Sequence, residues 1–256
     1  MLATERRALI CKIVNEKKRV RVSELSRRLH TTEATVRRDL SELQNEKKVL
    51  RTHGGAVSVS FKADKKKEQR QEEKRRAYRA MAEAVYSFLR EGDTLLLDGS
   101  ESVLELCGLL KTGKKRGITV VTNSFQVVES LKDGDLVLIH VGGNVNSGSC
   151  ISVGTIAENV IRSLRVNKAI FSVQGVEPRY GCSVLDFAEA SMKHVMMESA
   201  EQVFVLAEHS SFSSEYLAKV TDSLEGVDYL ITDCHTPKLD YTPYSKKVKL
   251  VTALYL

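Results

Sequence analysis

Apolar positions in the first sixty residues fall at helical spacing three times. Leu9, Ile10, Ile13 and Val14 mark one face of a helix from Thr4 to about Asn15. Leu25 and Leu29 mark a second helix with Ser23 as its N-cap, and Val36, Leu40 and Leu43 mark a third. Thr32 stands where its hydroxyl can accept from a free amide in the first turn of that third helix. Between the first two helices, Val20-Arg21-Val22 alternates like a short strand, and His30-Thr31 reads as a turn. Two β-prone runs from Val49 to Val59, broken at Gly54-Gly55, read as a hairpin.

The stretch from Phe61 to about Arg76 is dense in charge, with Lys65-Lys66-Lys67 and Glu72-Glu73-Lys74-Arg75-Arg76, and reads as a linker that becomes helical. Met81, Val85 and Phe88 continue it as an amphipathic helix from Tyr78 to Leu89. Beyond that point strand and helix signals alternate. Strands are expected at Thr94–Leu97, Ile118–Thr122, Leu136–Val141, Ala169–Val173, Gln202–Ala207, Tyr229–Thr232 and Val248–Thr252. Helices are expected at Ser102–Leu110, Phe125–Leu131, Thr155–Leu164 and around Phe187–Ser199. Such alternation argues an α/β fold with a mostly parallel sheet covered by helices on both faces. The expected division is 1–60, 61–77 and 78–256: a winged helix-turn-helix, a charged helical linker and a larger α/β effector-binding and oligomerisation domain.

The third helix carries Ala34, Thr35, Arg37, Arg38 and Ser41 away from its apolar seam. Arginine suits both guanine edges and phosphates, although two solvated arginines on a surface helix would look the same. Charge separates these readings. Residues 1–62 hold 15 Lys and Arg against 7 Asp and Glu, leaving 24 against 26 for the remainder. The positive excess therefore belongs to the N-terminal quarter, as in a polyanion-binding module joined to a near-neutral partner domain. In a winged helix-turn-helix the third helix lies in the major groove. Ser23, Thr32, Ala34, Thr35, Arg37, Arg38 and Ser41 are the candidate contacts, with Arg21, Arg51, His53 and the Lys17-Lys18 turn on the backbone. His53 has a local turn role as its alternative.

Composition excludes several classes. No apolar run approaches the roughly 20 residues that span a bilayer, and the N-terminus lacks the apolar core of a signal peptide. Cys11, Cys107, Cys150, Cys182 and Cys234 are scattered and include no C-x-x-C pair, which favours free thiols in a reducing cytoplasm. His140, His194, His209 and His235 show no metal-ligand spacing, and no cofactor is implied. Gly108-Leu109-Leu110-Lys111-Thr112-Gly113-Lys114-Lys115 nearly spells a phosphate-binding loop, but Lys115 stands at the Ser/Thr position, so it reads as a surface turn.

The run Thr35-Val36-Arg37-Arg38-Asp39-Leu40, then Leu43, then Leu50-Arg51-Thr52-His53-Gly54-Gly55-Ala56, resembles the signature of DeoR-type bacterial transcription regulators. The resemblance extends over the second domain, implying a sugar-phosphate-isomerase-like fold that binds a phosphorylated metabolite. Its effector loops correspond to Asp98-Gly99-Ser100-Glu101-Ser102, Thr122-Asn123-Ser124 and Gly142-Gly143, and a later segment runs from Gly181 to Glu189-Ala190-Ser191-Met192-Lys193. Independently, small and polar residues at strand ends before helices suit an anion pocket.

Two positions depart from the family pattern. Glu101 replaces a threonine, and Glu208-His209-Ser210-Ser211 stands where the family has D-x-S-K. A carboxylate about 4 Å from a phosphate opposes it by roughly 4 kcal/mol per unit charge at a surface-like dielectric. Weak or altered sugar-phosphate binding is therefore expected, with one cation lost and one anion gained. Cys107 and Cys182 are candidates to flank the pocket.

The sequence thus reads as a cytoplasmic regulator, a repressor of carbohydrate or related metabolic genes. Its expected partners are a double-stranded DNA operator, a sugar-phosphate effector and further copies of itself as a dimer or tetramer, with no membrane. The alternatives are a ligand-independent regulator with a decayed pocket, and an isomerase with a DNA-binding appendage. Asp98, Glu101 and Glu189 are the carboxylates available to such an enzyme, with nothing in the sequence to pair them.

Overall fold

The computed structural model describes residues 1–234 and 239–253, with the side chains of 62–67 outside that description. His235 and the side chains of Lys65, Lys66 and Lys67 therefore lie outside the described residues. The chain divides into two units, Met1–Glu73 and Lys74–Leu256.

The first unit comprises α1 (Ala3–Lys17), β1 (Arg19–Arg21), α2 (Val22–Arg28), α3 (Glu33–Asn45), β2 (Val49–Thr52) and β3 (Gly55–Ser58). The long α4 (Val59–Phe88) follows and carries residues of both units. Ile10, Ile13 and Val14 of α1 close over Leu25, Leu29, Val36, Leu40 and Leu43, with Val49 and Ala56 from the hairpin. Leu9, expected on the inner face, is exposed; one helical step from Ile10 turns it off the narrow buried strip.

Ser23 is not the N-cap of α2. The helix starts at Val22, two residues earlier than that cap would have it, after Arg21 and with no side-chain cap. The Val22 amide instead donates to the Gly54 carbonyl at 2.9 Å, so the hairpin backbone replaces the hydroxyl.

β1, β3 and β2 form an antiparallel sheet in that order, with Val20 opposite Ala56 and Arg51 opposite Ala56 on the other side. A Cβ on Gly55 would lie 2.0 Å from the Val20 carbonyl oxygen, whereas Gly54 has open space around it. The second glycine of the pair is thus the one this sheet requires.

The second unit continues from α4 through β4 (Thr94–Leu97), α5 (Glu101–Thr112), β5 (Thr119–Thr122), α6 (Phe125–Leu131), β6 (Val137–His140), β7 (Asn144–Asn146) and β8 (Ile151–Val153). Then come α7 (Thr155–Arg162), β9 (Val166–Ser172), β10 (Gly175–Glu177), β11 (Gly181–Val184), α8 (Phe187–Glu198), β12 (Ala200–Leu206), β13 (Ala218–Lys219), β14 (Tyr229–Thr232), α9 (Thr242–Ser245) and β15 (Lys249–Thr252).

The main sheet has seven strands in the order β15-β14-β12-β9-β4-β5-β6, and every pairing is parallel. Its strands alternate between two cores, as a sheet covered on both faces must. Leu95, Leu97, Ile170, Phe204 and Leu206 meet α4, α5 and α6, while Leu96, Ala169, Phe171, Val203 and Val205 meet α7 and α8.

The antiparallel hairpin β7-β8 and the small sheet β10-β11-β13 were not legible in sequence. Their strands are two to four residues long, too short for alternation to register. No helix among the described residues is long and apolar enough to cross a membrane.

Candidate functional site

The outward face of α3 is built from its cap upward. Thr32 is the N-cap, its Oγ1 accepting from the Thr35 amide at 3.2 Å, so the helix begins abruptly at Glu33. Val36, Leu40 and Leu43 are buried beneath it. Ala34, Arg37 and Arg38 are exposed, and Thr35 is half-buried, its hydroxyl 2.9 Å from that of Thr32.

Arg37 pairs with Glu33 one turn back at 2.5 Å, an exposed contact worth about 0–1 kcal/mol and readily exchanged for a phosphate or base. Arg51 is not a free wing residue. Its Nη1 donates to Ser41 Oγ at 2.5 Å and its backbone amide donates to Gln44 Oε1 at 3.1 Å. Arg51 and Ser41 thus tie the hairpin to α3 and occupy one another. Arg21 and His53 are exposed, whereas Lys17 pairs with Glu24.

The second site is a cavity of about 570 Å³ at the carboxyl ends of β4, β5, β9 and β12, where parallel sheets hold ligands. Asp98, Gly99, Ser100, Glu101, Ser102, Asn123 and Lys193 line it. Asp98 is buried with its lone pairs filled. Oδ1 accepts from the Ser100 amide and hydroxyl, and Oδ2 accepts from the Ser172 amide and from Lys193 Nζ at 2.7 Å. This carboxylate fixes the loop, and Lys193 spends its charge on it. Because Ser100 turns its hydroxyl to Asp98, the first turn of α5 has no side-chain cap, and its free amides remain available to an acceptor.

Asn123 Nδ2 donates to the Ser152 carbonyl at 2.8 Å, which sets the amide orientation and leaves Oδ1 buried without a partner among the described residues. Gln174 Oε1 and Ser149 Oγ, also on the cavity wall, are likewise unpartnered.

Four expected positions do not line this wall. The Thr122 hydroxyl donates to the Leu97 carbonyl and accepts from the Ser124 amide, and Ser124 caps α6. Gly142 stands in open space, and a Cβ on Gly143 would press the Val153 carbonyl at 2.8 Å and Ala157 at 3.0 Å. Gly143, and not Gly142, therefore serves close packing of the loop against β8 and α7. Cys107 and Cys182 are buried off the wall, burial pushing both thiols up to about 12.

The charge count of the cavity also needs correction. Ser211 leaves no lysine after β12, but Lys74 of α4 stands with Nζ 3.5 Å from both Glu101 and Glu208. Its ammonium is held above the ordinary lysine value, first by its hydrogen bond with Tyr78 and then by the two carboxylates. The Tyr78 hydroxyl donates to Glu208, and burial followed by that contact pushes the phenol up. The cation absent from one loop is supplied by a helix.

A family model described as the DeoR-like helix-turn-helix domain matches residues 6–62, and one described as the DeoR C terminal sensor domain matches residues 70–234. The chain belongs to the DeoR family of transcription regulators. It is 32% identical to the transcriptional repressor AccR of Agrobacterium fabrum (strain C58), over 97% of each chain. It is 31% identical to the HTH-type regulator YulB of Bacillus subtilis (strain 168), over 100% of this chain and 98% of that one. The glycerol-3-phosphate regulon repressor of Escherichia coli (strain K12) is 28% identical over 93% of each. Among solved structures, ribose 5-phosphate isomerase from Plasmodium falciparum aligns with a TM-score of 0.39 at 11% identity, over 54% of each chain. With regulators matching along its length, this DeoR-family chain is a DNA-binding regulator with a sensor domain and not an isomerase.

Three further residues escaped the sequence reading. Asp39, inside the DeoR-family signature, is buried and paired with Arg6. Lys74 was hidden in a charge run whose lysines and arginines look alike until the helix is placed, and Tyr78 was read only as the start of the amphipathic helix after it. The nearest histidine cluster, His209 with Asp233 and Cys234, brings ligand-type atoms within 4.8 Å. Asp233 there accepts from both the His209 amide and ring, which accounts for the grouping as a hydrogen-bonded pair. The near phosphate loop, expected as a surface turn, is instead the end of α5 from Gly108 to Thr112 running into a bend at Gly113 and Lys114, with Lys115 Nζ donating to the Leu89 carbonyl at 2.6 Å.

Proposed function

We propose that this chain binds double-stranded operator DNA in the cytoplasm as a homo-oligomer. There it represses genes of carbohydrate or related metabolism until a small phosphorylated metabolite enters the sensor cavity. The observation that carries the DNA half is the capped α3, which buries Val36, Leu40 and Leu43 and turns Ala34, Thr35, Arg37 and Arg38 outward. One such helix covers a half-site, so useful affinity calls for two or more copies on half-sites separated by multiples of about 34 Å.

Three features support the sensor half: the cavity, the uncapped first turn of α5, and the unpartnered acceptor of Asn123, which suits a ligand hydroxyl. A relative named for the glycerol-3-phosphate regulon points to the same chemical class. A decayed pocket would have no use for a buried acceptor kept open. Mapping DNA protected by the chain in its native genome tests the reading. Protected repeats beside genes of sugar or polyol metabolism are expected, and scattered protection without a shared sequence would contradict it.

A further inference from the structure

The cavity wall holds two ammonium groups of unequal availability. Lys193 is buried against Asp98 at 2.7 Å and is fully committed. Lys74 is half-exposed and shared at 3.5 Å between two carboxylates. Those carboxylates also differ. Glu208 is 31% exposed and held by the Tyr78 hydroxyl, while Glu101 is 70% exposed and has no ion-pair partner but Lys74 among the described residues. Glu101 is moreover the first residue of α5, so its carboxylate occupies the anion-favouring end of a helix whose free amides lack a side-chain cap. Asn123, 3% exposed, keeps Oδ1 unpartnered on the same wall.

We propose that Lys74 is the anion-binding residue of the sensor cavity and that the effector binds by counter-ion exchange. The phosphate of a polyhydroxylated ligand takes the Lys74 ammonium from Glu101, whose side chain turns out to solvent, and a ligand hydroxyl meets Asn123 Oδ1. This rests on the cavity's being the phosphosugar site proposed above. Glu101 then acts as a resident competitor, an internal anion that weakens every external one and screens out ligands too weakly charged to displace it. Glu208, anchored by Tyr78, stays in place. Lys74 is also the first residue of the sensor unit on the helix that carries residues of both units, so the side chain that changes partner lies on their covalent connection.

Thermal-shift titration of the full chain tests this. The probes are inorganic phosphate, glycerol 3-phosphate, ribose 5-phosphate and fructose 1-phosphate, with glycerol, ribose and fructose as uncharged counterparts. For the phosphorylated probes that bind, Lys74→Gln is expected to weaken affinity roughly tenfold or more, the loss of one charge-assisted contact, and Lys74→Arg to restore most of it. Glu101→Gln is expected to strengthen the same probes roughly threefold to tenfold by removing the competing anion. Lys219→Gln, remote from the cavity, is expected to leave them unchanged.

A phosphorylated probe that binds the wild type, Lys74→Gln and Glu101→Gln equally would overturn the exchange while leaving the phosphosugar site standing. Equal shifts from phosphorylated and uncharged counterparts, or none from any probe even with Glu101→Gln, would overturn the phosphosugar reading and the exchange together.

Discussion

Arg6 of α1 grips the buried carboxylate of Asp39 on α3 through two contacts, Nε to Oδ2 at 2.6 Å and Nη2 to Oδ1 at 3.2 Å. The hydrogen bond to Asp39 raises the guanidinium above its ordinary value, and the paired geometry fixes the roll of α3 about its axis. Neighbouring residues thereby face opposite ways: Asp39 inward to α1, Arg38 outward.

Removing one member of that pair is therefore expected to cost more than removing both. Arg6→Ala strands a buried carboxylate, whereas Arg6→Ala with Asp39→Ala leaves only lost packing. Thermal unfolding followed by circular dichroism should give the lowest midpoint for Arg6→Ala, with partial recovery in the double variant. Strictly additive losses would mean that the carboxylate does not depend on the guanidinium.

The adjacent glycines of the hairpin should respond unequally. At Gly55 a methyl would collide with the Val20 carbonyl at 2.0 Å, while at Gly54 it meets nothing within 4 Å. Gly55→Ala is expected to destabilise the first unit by about 3 kcal/mol, the upper range for overpacking. Gly54→Ala should stay within about 0.5 kcal/mol of the wild type in denaturant unfolding. Equal effects would place the constraint in the turn instead of the strand contact.

Thiol reactivity should divide by burial. Cys107 and Cys182 are buried, with burial pushing both thiols up to about 12, while Cys150 is exposed. At pH 8 a thiol reagent is expected to label Cys150 in the native chain and to reach Cys107 and Cys182 only after denaturation. Both thiols stay protonated in the fold above the ordinary value of 9.0. Their contribution to stability is thus whole below that value and is lost as pH rises toward about 12. Native labelling of Cys182 at pH 8 would show that its core opens.

Much of this architecture is readable from the residues because the pattern is long enough to carry it. Val36, Leu40 and Leu43 fix α3 by period, Thr32 fixes its start, and each of the seven sheet strands carries a recognisable apolar run. The sensor wall is legible only in part. Asp98 and Asn123 sit at strand ends before helices, where parallel sheets present their chemistry, so sequence order finds them. Lys74 reaches the same wall from a distant helix inside a run of like charges, and only placement singles it out. Gly143 and Ser124 show the converse: loop residues that look like ligand contacts but serve helix packing and capping.

Whether the outward face of α3 reads DNA is decided by footprinting at a mapped operator with wild type and the double variant Arg37→Ala, Arg38→Ala. If these side chains read bases, each substitution should cost about 1–3 kcal/mol of operator binding. The wild type should also lose affinity steeply with salt as phosphate contacts release counter-ions. Protected half-sites are expected for the wild type, and no specific protection by a folded double variant. An unchanged footprint from that variant would contradict DNA reading by this face.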